Sequence, residues 1–104
     1  MNETNMETAR QINAKELKFA GFKLFCDDNK NMISMMKGKK IMRITYNYGT
    51  DLYDVTRIKI KGLATMEEEQ LNGIYGDQLR EMITSFFPNF EYVMDSIKIV
   101  GVNC

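Results

Sequence analysis

Histidine does not occur in this chain. Its absence removes the side chain most used for proton transfer near neutral pH and the commonest metal ligand, so enzymatic readings lose most of their support. The two cysteines, Cys26 and Cys104, can form at most one intramolecular bridge, where a small secreted scaffold normally carries several. Both are read as reduced thiols, and Asp27 and Asp28 beside Cys26 disfavour a reactive thiolate. No apolar run approaches the roughly 20 residues that cross a bilayer, and the opening MNETNMETAR has neither the basic nor the apolar part of a secretory signal. The expectation is a soluble, cytoplasmic protein without membrane contact. Proline occurs once, at Pro88, and the glycines match no phosphate-cradling loop. Glu67-Glu68-Glu69 lacks the loop geometry of a calcium site and reads as a solvated acidic turn. No catalytic residue, metal ligand set or cofactor is expected.

What the chain does have is the material of one ordinary globular domain. Its 104 residues are 44% hydrophobic and 27% charged, which excludes wholesale disorder and leaves no apolar surplus for a second core. The formal net charge is zero, but the sum hides a division. Residues 37–62 carry seven bases against Asp51 and Asp54, whereas residues 63–104 carry seven acids against Arg80 and Lys98. Either the molecule shows a partner a basic surface and an acidic one, or the two segments pair with each other inside the fold.

Strand periodicity, turn chemistry and charge coincide in residues 40–61. KIMRITYNY sets Met42, Ile44, Tyr46 and Tyr48 on one face and Arg43, Thr45 and Asn47 on the other. After the turn Tyr48-Gly49-Thr50-Asp51, LYDVTRIKIK alternates Ile58 and Ile60 with Arg57, Lys59 and Lys61, which completes a hairpin. Upstream, FKLFC reads as a short strand with Phe22 and Leu24 on one side, Asp27-Asp28-Asn29-Lys30-Asn31 as a turn, residues 32–37 as a second strand and Lys37-Gly38-Lys39 as a tight turn. Residues 1–5 read as frayed. A helix follows from Met6, capped by Asn5 or Thr4, with Met6, Ala9, Leu17 and Ala20 on an apolar stripe that Asn13 interrupts; it either breaks near Asn13 or runs to Phe19, and Gly21 stops it. Thr65-Met66-Glu67-Glu68 matches a capping box, yet residues 65–71 suit a strand equally well. Asn72-Gly73 marks a break. Residues 74–87 predict an amphipathic helix with Tyr75, Leu79, Met82, Ile83 and Phe86 inward, ended by Pro88. The tail, residues 92–102, contains IKIVGV, whose Ile97, Ile99 and Val102 predict an edge strand. The fold class is therefore α+β: an antiparallel sheet of four to five strands, an amphipathic helix packed on one face and a short N-terminal helix.

The candidate site is the hairpin: Arg43, Arg57, Lys59 and Lys61 with Tyr46, Tyr48 and Tyr53. Basic side chains beside aromatic rings on a sheet suit phosphates and stacked bases, or an acidic protein groove. The competing explanation makes the tyrosines core and the bases the solvent face of an amphipathic strand. A zero net charge weakens the electrostatic attraction that dominates nucleic-acid affinity, so a protein partner is preferred to nucleic acid.

Thr8-Ala9-Arg10-Gln11-Ile12, Ile44-Thr45-Tyr46-Asn47 with Asp51-Leu52-Tyr53-Asp54-Val55, and Gly73-Ile74-Tyr75-Gly76-Asp77-Gln78-Leu79 resemble a group of small proteins from phages and prophage regions. Members share a short N-terminal helix, a β-rich middle whose turn ends in Asp-Leu-Tyr-Asp, and a Tyr-x-Asp-x-Leu helix. The likeness covers residues 8 to about 87, and residues 90–104 extend past where members usually stop. It implies a phage or mobile-element origin and no activity to carry over. By analogy of origin and size it suggests a protein that occupies a host protein or ribonucleoprotein, as anti-CRISPR inhibitors of host defence nucleases do. Direct binding of single-stranded nucleic acid and a homo-oligomeric structural role through an edge strand stand as alternatives; the oligomeric state is left open.

Overall fold

The computed structural model describes residues 1–63 and 65–93. Two helices, α1 (Glu3–Ile12) and α2 (Ala14–Phe19), lead into strands β1 (Lys23–Asp27), β2 (Met32–Lys37), β3 (Lys40–Asn47), β4 (Leu52–Ile60) and β5 (Met66–Ile74), a 3-10 turn at Gly76–Gln78 and helix α3 (Leu79–Phe86). The five strands pair antiparallel in chain order, so the sheet is a meander closed by local turns, and the fold is α+β as expected. Among the described residues no helix is long and apolar enough to cross a membrane.

Short polar side chains build the turns. Asn47 Oδ1 accepts from the backbone N–H groups of Gly49 at 2.9 Å and Thr50 at 3.3 Å, and Asp51 takes the left-handed conformation that closes the β3–β4 hairpin. Gly38 opens the two-residue β2–β3 turn at φ 62°, the positive value that its first central position requires.

One face of the sheet is covered by helices. Leu24, Ile33, Met35, Met42, Ile44, Tyr53 and Val55 meet Ala9, Ile12, Leu17, Leu79 and Ile83 in one core, closed at one end by Phe22, Phe86, Phe87 and Phe90. Phe22 packs edge to face on Phe87 and Phe90 with centroids 4.8 and 5.2 Å away. The opposite face carries Phe25, Ser34, Ile41, Arg43 and Ile58, following the period of two that the registers impose.

Several expectations needed correction. Helix α1 starts at Glu3, capped by Asn2, whose Oδ1 accepts from Asn5 N–H at 2.8 Å; residues 1–5 are thus anchored, because Asp28 also accepts from Asn2 N–H at 3.1 Å and from the Asn5 amide at 2.9 Å. Those bonds hold the Asp28 carboxyl below its usual range, Asn2 contributing most. Met6 is exposed and Asn5 is buried in its place. Asn13 adopts the left-handed conformation and splits α1 from α2, the first of the two alternatives. Of residues 65–71, those from Met66 on are strand, within β5, which runs on to Ile74 through a bulge at the positive-φ Gly73. Helix α3 consequently begins at Leu79, and Tyr75 is exposed rather than part of its apolar stripe. Cys26 is bonded in a disulfide and is not a reduced thiol; sequence separation alone does not reveal which sulfurs approach. Cys104 and the predicted edge strand lie outside the described residues.

A complete accounting closes the C-terminus of α1. Asn13 N–H bonds the carbonyls of Ala9 and Arg10, Arg80 Nε donates to Gln11 O at 2.8 Å, and the Tyr92 hydroxyl donates to Ile12 O at 2.6 Å. The Arg80 guanidinium lies over the Tyr92 ring at 5.1 Å. Through these contacts the segment after α3 is tied back to the N-terminal helices.

Candidate docking surface

The four basic residues of the hairpin do not share a surface. Arg43 pairs with Thr56 on the outer face of the sheet, while Arg57 pairs with Met42 and Lys59 with Lys40 on the helix-covered face. The reason is a phase change within β4. Tyr53 and Val55 point inward, the next apolar residues Ile58 and Ile60 point outward, and unbroken alternation carries Arg57 and Lys59 along the inner face. They lie past the end of the core, where the Arg57 guanidinium covers the Phe86 ring at 5.6 Å.

Strand β5 then brings acids to these bases. Arg57 makes a close ion pair with Glu69 through Nη2, with Nε also donating to Glu69 at 2.8 Å, and Lys61 Nζ sits 3.0 Å from Glu67. The bond from Lys61, and after it the charge of Lys61, hold the Glu67 carboxyl below its usual value; Lys59, opposite it in register, adds to this. Here the basic and acidic segments neutralise each other.

The tyrosines gather elsewhere. Tyr53 is buried under α1, with Thr8 Oγ1 3.3 Å from its hydroxyl. Tyr46 sits edge to face with Tyr48 and Tyr53, centroids 4.9 and 5.5 Å away, and its hydroxyl donates to Asp51, a bond that pushes its pKa up to about 12. The Tyr48 hydroxyl lies 2.5 Å from Thr4 Oγ1. This cluster fastens the hairpin tip to α1. Along β4, Tyr53 and Arg57 stand roughly 13 Å apart at the rise of an extended strand, so rings and bases form no common stacking platform.

A different basic cluster is assembled by the turn between β2 and β3. It places Lys37, Lys39 and Lys40 together, and the register adds Lys59 opposite Lys40. Against them lie the end of α3 and the aromatic run that follows it. Lys40 Nζ donates to Phe86 O at 2.7 Å, closing the C-terminus of α3, and lies 5.2 Å from the Phe86 ring centroid. Lys37 Nζ donates to Ala20 O at 2.8 Å beyond the end of α2 and covers the Phe22 ring at 5.1 Å. Lys39 and Lys59 are exposed. None of the four is within ion-pair distance of a carboxylate among the described residues. This lysine ledge borders two concavities, one of about 400 Å³ towards Arg57 and Phe86, which Glu67, Glu68 and Glu69 also line, and one of about 320 Å³ over Phe87 and Phe90. The sequence signal was the run Lys37-Gly38-Lys39-Lys40, read as a turn and counted in the basic segment but not weighed as a site.

Comparison of the chain with protein-family models, with curated proteins and with solved structures finds no match.

Proposed function

We propose that the protein acts without catalysis, as a binding module whose lysine ledge docks on an acidic surface of a partner protein. The observation that carries this reading is the lysine cluster itself: four like charges share one rim, none of them within ion-pair distance of a carboxylate among the described residues, with Glu67 facing only Lys59 across the ladder. Such an arrangement costs self-repulsion in the free protein and is relieved by an anionic partner. A protein partner is favoured over single-stranded nucleic acid because the rings beside the lysines, Phe22, Phe86, Phe87 and Phe90, are buried and offer bases no face to stack on, while the tyrosines are engaged at the opposite end of the hairpin. Assembly through the β5 edge is disfavoured by its bulge and three consecutive glutamates, devices that keep edge strands from pairing. The phage resemblance, and that alone, points to the bacterial cytoplasm and to host proteins, including the nuclease complexes of host defence.

The test is a paired charge reversal, Lys39→Glu with Lys59→Glu, on the tagged full chain. Both side chains are exposed, so the melting temperature should stay within a few degrees while retention of the partner from host extract falls by about tenfold or more. Undiminished retention by the folded variant refutes the ledge as the docking surface.

A further inference from the structure

The face of the sheet turned away from the helices carries a row of side chains, one from each strand. Lys23, Met36, Ile41, Ile58 and Glu68 stand side by side in the registers of β1 to β5. Flanking this row are Phe25 and Met66, which are 58% and 68% exposed, and Ile60 opposite Met66. Helices cover only the other face: the molecule measures 21 Å through its thinnest direction, which one helix layer on one sheet, roughly 10 Å each, already fills. Apolar side chains left in water on the open face carry a free-energy cost that a second surface removes. The two charged ends of the row are also unmatched. Lys23 and Glu68 are exposed, and neither side chain has an ion-pair or hydrogen-bond partner among the described residues. Four strand spacings, roughly 19 Å, keep them apart within one chain.

We propose that this face packs on the same face of a second copy, making the protein a two-fold dimer of stacked sheets. What selects a second copy is the order of the row. A two-fold axis along β3 lays β1 of one copy over β5 of the other, and β2 over β4. Lys23 then meets Glu68 of the other copy at each end, Met36 meets Ile58, and Ile41 meets its own counterpart. Both charges are matched and the apolar residues meet between them. Arg43 falls on the same axis one row away, where it faces its counterpart, and Asp54, one strand and one row over, supplies a carboxylate to the other copy's Arg43. The area suffices: five strands about 4.8 Å apart and about 24 Å long give a face of roughly 600 Å², so the pair buries about 1,200 Å², the lower bound for a stable interface. The lysine ledge gathers at the ends of α2 and α3 on the helix side and stays open, so the dimer stands or falls independently of the docking reading.

The test is sedimentation equilibrium of the full chain across micromolar concentrations, which should show a reversible approach to twice the 12.1 kDa chain mass. Lys23→Glu alone and Glu68→Lys alone each set like charges at both ends of the row and should weaken the dimer about tenfold. The two together restore the match and should return it to within about twofold of the parent. Both positions are exposed, so each variant should keep its fold, which circular dichroism checks. Lys39→Glu with Lys59→Glu should leave the dimer unchanged. A chain that stays at its own mass at every concentration overturns the dimer, and so does a mass that keeps rising without closing at two. A dimer that neither single reversal weakens, or that the double reversal fails to rescue, overturns this face as its interface.

Discussion

Replacing Tyr92 by phenylalanine removes one oxygen from a place where its loss can be followed. The hydroxyl donates at 2.6 Å to the carbonyl of Ile12, a fully buried residue, and the other three terminal carbonyls of α1 already have partners in Asn13 and Arg80. No backbone group is in reserve for the fourth. Leaving a buried carbonyl unpaired costs about 1–3 kcal/mol, and because Tyr92 is only partly buried, water reaching the gap keeps the loss near 1–2 kcal/mol. For a domain of this size that lowers the melting temperature by roughly 5–15 °C. The effect also has a pH signature. Burial raises the Tyr92 pKa above its ordinary value, with the charge of Glu16 adding to it and Arg80 opposing. A group whose folded pKa is raised stabilises fully below its unfolded pKa, about 10 for tyrosine, and loses that contribution as pH climbs towards the folded value. The difference between parent and Tyr92→Phe measured by urea unfolding should therefore be largest near pH 7 and shrink above pH 10. The raised pKa values of Tyr46 and Tyr53 affect both proteins alike and cancel. A difference below ~0.3 kcal/mol at pH 7, or one unchanged from pH 7 to 11, refutes the accounting at the end of α1.

Three further outcomes follow from the same contacts. Asn13→Ala keeps the β-carbon at φ 51° but removes the short polar side chain that makes this left-handed conformation tolerable, and it deprives buried Glu16 of its amide donor, so chemical denaturation should show a loss of about 2–4 kcal/mol, with Asn13→Gly losing less because glycine takes this conformation freely. Asp28→Ala should flatten the acid limb of stability: the depressed Asp28 pKa stabilises above about pH 4 and is lost as pH falls below it, so circular dichroism should show the parent losing stability there faster than the variant. Glu69→Gln frees the Arg57 guanidinium from an ion pair with an exposed carboxylate worth roughly 0.2–1 kcal/mol, so thermal unfolding followed by circular dichroism should show the melting temperature barely changed.

Local patterns carried most of the fold. The two hairpins, the Asx-type turns and the inward Leu79, Ile83 and Phe86 were legible because each follows from spacing within ten residues or from a turn residue whose geometry is intrinsic. What was not legible depends on partners distant in sequence. The acids of β5 resemble a capped helix start until Arg57 and Lys61 lie across from them, when cross-strand ion pairs favour an extended chain. Once β5 continues to Ile74, Tyr75 cannot join α3, whatever its spacing. The candidate site failed for another reason. Arg57, Lys59 and Lys61 alternate with isoleucines and so resemble a solvent face, but the preceding Tyr53 and Val55 had already set the inward parity of β4. That phase change was visible in LYDVTRIKIK and separates Arg43 from the other three.

The lysine ledge invites the simplest explanation, that the lysines are there to close helices. For two of them it holds. Both α2 and α3 end at this corner of the sheet, where carbonyls lack intrahelical partners and the helix dipoles turn negative; Lys37 and Lys40 donate to Ala20 and Phe86 and stabilise those ends. The explanation stops there. Lys39 at the turn tip and Lys59 on β4 have no hydrogen-bond or ion-pair partner for the ammonium group among the described residues, and each adds positive charge beside two lysines already held in place. A turn needs glycine at Gly38 but not lysine at position 39; Lys59 faces Glu67 across the β4–β5 ladder, and the attraction between them gives it a part in pairing the strands. Stability therefore accounts for the inner pair and in part for Lys59 and leaves Lys39 unexplained, which is why charge reversal at Lys39, rather than at Lys37 or Lys40, separates a docking surface from a capping arrangement.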